Sequence, residues 1–229
     1  MFTMTYNGTT NEAHNLMVST RPSIPAPQRR ETFVTVPGRD GALVETDGAY
    51  DPIQIDIALN YTGTSLGDKF RAAKAWLQGS GELSFSDDSS VFYKVISMTV
   101  SANNRRALYG ADLTATAICE PYTYLVSGKT QITLASNIAN NYDVSKPLYE
   151  ITGTGTCVLK VNGNSLTCTV ASNMLIDTDL MLAYKSDGTM QNAATSGANF
   201  DDLWLTHGTN TLSKTGGFTV KLKPNWRVL

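Results

Sequence analysis

The stretch that most limits what this chain can fold into is Ile53-Gln54-Ile55-Asp56-Ile57-Ala58-Leu59-Asn60-Tyr61. Five large apolar residues alternate with small or polar ones, the period of a strand with one buried face. A helix would scatter those five residues around its circumference, so only a sheet gives them a common core. Such a strand needs partners of the same kind, and the chain supplies them. Thr, Asn, Ser and Gly are abundant, and Asp, Glu, Lys and Arg make up only 17% of the residues, well below the usual quarter or so of a globular domain.

The flanks follow the same logic. Residues 1–20 contribute an early strand. Arg21-Pro22-Ser23-Ile24-Pro25-Ala26-Pro27-Gln28-Arg29-Arg30 is an extended arm, because proline lacks the amide donor that a sheet interior requires. Next comes Phe33-Val34-Thr35-Val36-Pro37-Gly38-Arg39-Asp40-Gly41-Ala42-Leu43-Val44. Two β-prone runs flank a turn where Pro37 sets φ and Gly38 and Gly41 can take positive φ, so a hairpin is predicted. One helix is predicted over 65–79. Ser65 and Asp68 have capping-box spacing, Gly79 is placed to stop it, and Leu66, Phe70, Ala73 and Leu77 share a face.

Further on, Leu83–Phe85, a turn at Ser86–Ser89 and Val91–Val100 read as a hairpin whose second strand is apolar on both faces. Ser101 to Arg106 reads as a polar connection, and Leu113–Cys119 as a strand. The character changes near Gly128, which divides the chain into 1–128 and 129–229. The second part holds short strands at Leu148–Ile151, Cys157–Val161, Leu166–Val170, Leu175–Tyr184, Leu203–Leu205 and Phe218–Lys223, with turns between them. This is the pattern of a β-sandwich. The fold class expected is therefore mainly β, two sandwich-like domains with a single α-helix in the first.

Net charge is −2, and the Lys/Arg to Asp/Glu balance is 10 to 13 over residues 1–128 and 8 to 7 over 129–229. Neither half has the basic excess of a nucleic-acid module. No apolar run approaches the roughly 18 residues of a membrane span. The opening Met1-Phe2-Thr3-Met4-Thr5-Tyr6-Asn7 lacks the basic and apolar regions of a secretory signal, so synthesis and assembly in a cytoplasm are expected. Cys119, Cys157 and Cys168 form no CxxC pair. A two-residue turn at Asn162-Gly163 would set Cys157 opposite Cys168 in a hydrogen-bonded pair, the less favourable register for a cross-strand disulfide. Free buried thiols are expected.

Candidates for chemistry are sparse. His14 and His207 lack any nucleophile motif around them. Asp177, Asp179, Asp201 and Asp202 offer carboxylates without a calcium loop, and Gly153-Thr154-Gly155 lacks a nucleotide-loop context. Trp204, Trp226 and Tyr184 could form a sugar-stacking platform, although Leu203 and Leu205 beside Trp204 favour a core role for it. No cofactor, no metal site and no enzymatic activity are expected.

The arm from Arg21-Pro22 to Arg30, followed by Val36-Pro37-Gly38-Arg39-Asp40-Gly41-Ala42-Leu43, resembles the start of the distal tail (Dit) proteins of long-tailed bacteriophages, the siphovirus tail component family. The second half is similar too. Pro147-Leu148-Tyr149-Glu150-Ile151, Val161-Asn162-Gly163, Ile176-Asp177-Thr178-Asp179-Leu180, Gly208 to Ser213 and Lys223-Pro224-Asn225-Trp226-Arg227 keep that family's order. The resemblance implies a ring-forming N-terminal β domain and a peripheral, galectin-like C-terminal sandwich. It implies a virion protein at the distal end of the tail: a homohexameric ring, single or stacked, joining the tail tube protein to the tail-tip or baseplate proteins and to a receptor-binding protein. DNA would cross its channel without specific binding. The subunit-contact residues expected are Pro22, Pro25, Pro27, Arg29 and Arg30 in the arm, with Pro37, Gly38, Arg39, Asp40 and Gly41 in the turn. Two other readings stay open: a carbohydrate-binding module that contacts cell-wall sugars, and a tail-tube subunit.

Overall fold

The computed structural model describes residues 2–229. The chain divides into two compact units, Met1–Thr123 with Leu229, and Tyr124–Val228. Strands dominate both, and α1 (Leu66–Trp76) is the single α-helix among the described residues.

In the first unit the strands are β1 (Met4–Tyr6), β2 (Thr9–Thr10), β3 (Met17–Val18), β4 (Arg29–Thr35), β5 (Ala42–Tyr50), β6 (Ile53–Thr62), β7 (Gly79–Phe85), β8 (Asp88–Val100), β9 (Asn104–Ala107) and β10 (Gly110–Leu125). The main sheet runs β2-β1-β7-β8-β10-β6-β3, with β9 added on β10, and β4-β5 form a separate two-stranded sheet. The alternation read in Ile53–Tyr61 is the alternation observed: Ile53, Ile55, Ile57, Leu59 and Tyr61 are buried, and the residues between them face outward. β6 pairs antiparallel with β10 in unbroken register from Ile53 opposite Cys119 to Thr62 opposite Gly110. Leu66, Ala73 and Leu77 of the helix segment join the same core as Tyr6, Leu83, Val95 and Leu113.

Four local expectations change. Ser65 is the N-cap, but in a left-handed conformation (φ 56°, ψ 43°) with no side-chain cap. A capping side chain acts from an extended residue; here the Ser65 carbonyl accepts from the Asp68 and Lys69 amides instead, and Asp68 pairs with Arg71. The helix ends at Trp76, and Gly79 (φ 77°) opens β7 rather than closing the helix. The Tyr6 hydroxyl bridges the exit by donating toward the Gln78 and Gly79 carbonyls at 3.0 and 3.2 Å. In β8, Phe92, Tyr93 and Val95 are buried while Ile96 is exposed, so that strand is covered on both faces only over part of its length. Residues 104–107 form β9 instead of a loop.

The second unit contains β11 (Ile132–Thr133), β12 (Asn137–Asn140), β13 (Leu148–Thr152), β14 (Gly155–Val161), β15 (Asn164–Val170), β16 (Asn173–Asp177), β17 (Leu182–Tyr184), β18 (Thr195–Gly197), β19 (Gly208–Lys214), β20 (Thr219–Lys223) and β21 (Arg227–Val228). Two five-stranded antiparallel sheets, β11-β20-β13-β16-β17 and β12-β19-β14-β15-β18, enclose one core. Tyr149, Ile151 and Ile176 come from one sheet and Leu159, Val161 and Cys168 from the other. At the β14–β15 turn, Asn162 (φ 50°) and Gly163 (φ 91°) both lie in the left-handed region, the mirror-image turn suited to strand twist. Its register sets Leu159 against Leu166 and Cys157 against Cys168, as read from the sequence. The run read as one strand over 175–184 is two strands broken at Thr178–Met181. Leu203–Leu205 belongs to a 3-10 turn (Asp201–Leu203) and a single bridge from Leu205 to Ser145.

Replacing Ile57 by Ala, at the centre of the buried row, is expected to lower the stability of the first unit by about 3 kcal/mol. Ile96→Ala, exposed on β8, should change it by less than about 0.5 kcal/mol. Urea denaturation followed by tryptophan fluorescence measures both.

Candidate interaction surface

The residues that attract attention are apolar ones facing solvent in the β4–β5 hairpin. Every residue of β4 is exposed, as is β5 up to Gly48. Phe33 is 66% exposed and Val44, directly opposite, 54%. Val34 and Leu43 pair on the other face and are also exposed. Both faces of this ribbon are therefore apolar and uncovered, an arrangement that single-chain folding does not reward.

Its construction is specific. The Arg39 amide donates to the Val36 carbonyl at 3.2 Å across Pro37 and Gly38. Gly38 and Gly41 both have φ 81°, so Pro37 and Gly38 fill the two central positions of a type II turn as residue type dictates. At the base, the register slips between Arg29 and Glu31, a bulge that bends the ribbon. Arg30 holds that bend through its Nε to Asp51 at 3.2 Å and its Nη1 to Asp47 at 3.5 Å. The Asp51 hydrogen bond, with the charge of Asp47, raises the guanidinium above its ordinary value.

The other residues singled out from the sequence fall around it. The arm over 21–28 has no regular secondary structure, with Pro22 and Pro27 half-buried and Pro25 exposed. Arg21 places its guanidinium 5.4 Å from the centre of the Phe2 ring. Arg29 and Arg30 begin β4; Pro37, Gly38, Arg39, Asp40 and Gly41 form the distal turn. Arm and turn thus lie at the root and the tip of one hairpin. Phe33, Val34, Leu43 and Val44 between them were read as ordinary strand residues. The signal that could have marked them is apolar character at both parities of a short hairpin with no alternation to choose an inner face.

The edges single out the same element. The main sheet ends in β2 and β3, two residues each. The sheets of the second unit end in β11 and β17, with two and three residues, and in β12 and β18, with four and three. Short edges protect a sheet from unwanted pairing. The hairpin has strands of seven and nine residues, each paired on one side only.

The candidates for chemistry are occupied with structural contacts. His14 stacks on Trp76 with ring centres 4.4 Å apart, and His207 Nδ1 lies 3.1 Å from the Tyr142 carbonyl. Asp177 does not share a strand face with Asp179. Its Oδ1 accepts the Asp179 and Leu180 amides at 3.0 Å each, and Asp179 meets Lys146 at 2.9 Å. A Cβ on Gly153 would lie 2.4 Å from the Phe218 ring, so this glycine serves packing. Trp204 is half-buried, with its indole N–H donating to the Thr178 carbonyl at 3.2 Å and Lys146 Nζ 5.2 Å over its ring. No ring contact joins Trp204, Trp226 and Tyr184 among the described residues. None of the three lines the shallow depression of about 440 Å³ in this unit, which Leu166, Met181 and Phe200 border. The three cysteines are free and buried. Burial pushes the Cys119 and Cys168 thiols up to about 12.

No protein-family model matches the chain, and no curated protein matches it. Solved structures do. The SPP1 Dit protein, described as a paradigm of the hub adsorption apparatus in phages infecting Gram-positive bacteria, superposes with a TM-score of 0.71 at 15% identity over 100% of both chains. A chain of the phage P2 baseplate in its activated conformation with Ca gives 0.59 at 11% identity, covering 100% of this chain and 97% of that one. The phage P2 baseplate with Sr gives 0.53 at 11% identity over 96% of each. The protein has the Dit-type fold along its whole length.

Gly38→Ala is expected to cost about 1 kcal/mol, because alanine is strained at positive φ. Phe33→Ser and Val44→Ser should each change the stability of the isolated chain by less than about 0.5 kcal/mol; thermal melts at low concentration check all three. The thiols set a pH dependence. Folded Cys119 and Cys168 stay protonated up to about 12, while the unfolded thiols ionise from the ordinary value of 9.0. Their contribution is therefore full below pH 9 and is lost as pH rises from 9 toward 12, by at most about 1.4 kcal/mol per pH unit for each thiol. Urea midpoints at pH 8 and pH 10.5 should fall less in Cys168→Ala than in the unaltered protein.

Proposed function

We propose that this protein is a structural hub of a bacteriophage tail, a subunit that closes into a homohexameric ring at the distal end of the tail. The ring joins the tail tube to the tail-tip or baseplate proteins. The observation that carries this reading is the likeness to SPP1 Dit over the full length of both chains, joined by the likeness to phage P2 baseplate chains.

The mechanism is geometric. A ring requires a surface on each copy that meets a different surface on the next, repeated until the rotation closes. The hairpin with its arm supplies one such surface, and Pro22, Pro25, Pro27, Arg29, Arg30 and the Pro37–Gly41 turn are its subunit-contact residues. Burying Phe33, Val34, Leu43 and Val44 between copies would remove the apolar exposure that the single chain leaves. The action is attachment and alignment, without bond-making chemistry. The modest overall negative charge suits a channel that nucleic acid traverses without sticking.

Negative-stain electron microscopy of the purified full chain, with mass measured by light scattering, tests this. Rings of six copies are expected. A strict monomer up to millimolar concentration would overturn the reading, and open tubes would assign the chain to the tail tube instead.

A further inference from the structure

A second exposed apolar element lies in the first unit. β9 and β10 are joined by the two-residue turn Leu108-Tyr109, between the paired residues Ala107 and Gly110. Leu108 is 81% exposed and Tyr109 59%. This turn is held in place: the Tyr109 carbonyl accepts the Gly63 amide at 2.8 Å, and Arg106 at its base pairs with Asp112. A fixed apolar knob has already lost much of the freedom that binding would otherwise remove.

The surroundings of the knob are basic. Helix α1 and residues 104–112 together carry five basic residues (Lys69, Arg71, Lys74, Arg105 and Arg106) and two acidic ones, Asp68 and Asp112. The two acids pair with Arg71 and Arg106. Arg105 forms no ion pair among the described residues. It lies toward the helix start, where a Cβ on Gly67 would be 3.7 Å from its Nη2. The hairpin has the opposite balance, with three arginines and five carboxylates over residues 29–51. Two of its carboxylates, Asp47 and Asp51, are paired with Arg30. Glu31 is exposed, unpaired among the described residues, and lies on the same ribbon face as Phe33 and Val44, two residues along the strand from Phe33.

We propose that the apolar ribbon face of one copy, Phe33 and Val44 with Glu31, docks on the Leu108–Tyr109 knob of a second copy, with Glu31 meeting Arg105. The proposal rests on the self-assembly read above and names the surface that receives the hairpin. The contact is head-to-tail, because ribbon and knob are different patches of one chain, and a head-to-tail contact can close a ring. Apolar area supplies the attraction, and opposite charge sets partner and register.

The test uses full-length variants that each gain one exposed cysteine, which is workable because Cys119, Cys157 and Cys168 are buried. Mixing Val44→Cys with Leu108→Cys and adding a short bismaleimide should give a covalent two-chain product, and neither variant alone should give one. Arg105→Glu should weaken assembly by about tenfold, and adding Glu31→Arg to it should restore assembly to within about twofold. Unchanged melting temperatures confirm that the exposed substitutions leave the fold intact. Rings that form without the mixed cross-link, a cross-link from Val44→Cys alone, or rings indifferent to Arg105→Glu would each overturn this contact and leave the hub reading standing. A chain that never assembles overturns both.

Discussion

The first unit depends on the register between β6 and β10. Ile53 faces Cys119, Ile55 faces Ala117, Ile57 faces Ala115 and Leu59 faces Leu113, all buried. Because side chains alternate, a slip of one residue would turn the whole row to solvent and bring Gln54, Asp56 and Asn60 inward. That cost fixes the pairing. With β6 and β10 set, the remaining main-sheet strands and the helix have one apolar surface on which to pack, and Tyr6, Leu77 and Leu83 complete it.

The hairpin is the exception to that economy. It carries Phe33, Val34, Leu43 and Val44 side by side, yet it pairs only with itself and leaves its long edges open. Among the described residues every other sheet edge is blunted to four residues or fewer, and this one is long, which is the kind of edge that can pair with another chain. The bulge at Arg29–Glu31 and the Arg30 ion pairs give the ribbon a defined direction, and the turn glycines give it a tight tip. The hairpin is held in shape by its own backbone and awaits its cover.

In the second unit, polar side chains are engaged in holding turns and strands together. Asn210 is buried and saturated: its Oδ1 accepts the Thr206 amide at 2.9 Å and Asn162 Nδ2 at 2.7 Å, and its Nδ2 donates to the Thr206 carbonyl at 2.8 Å. Asn140 donates to the Asp143 and Leu205 carbonyls at 2.9 Å each. These amides tie turns to strands where the connections lack apolar residues, and a buried polar group must be paired to be tolerated. Asp177 and Trp204 do similar work at the broken strand.

The sequence alone determined the elements whose signal is local. The alternation of β6, the Asn162-Gly163 turn with its cysteine register, and the Pro-Gly turn of the hairpin each follow from side-chain period or allowed φ within a few residues. The short edge strands β11, β12, β18 and β21 were not legible, because two to four residues carry no period and their pairing is set by distant partners. Ser65 misled in another way: residue type and spacing suggested a side-chain cap, but the backbone entering the helix is left-handed there, and the side chain makes no cap. The hairpin was legible as two β-prone runs around a turn, but nothing in Phe33, Val34, Leu43 and Val44 told that the single chain would leave them exposed. Apolar residues state only that they should be covered; whether the cover comes from this chain or from another is decided by where the tertiary fold places them.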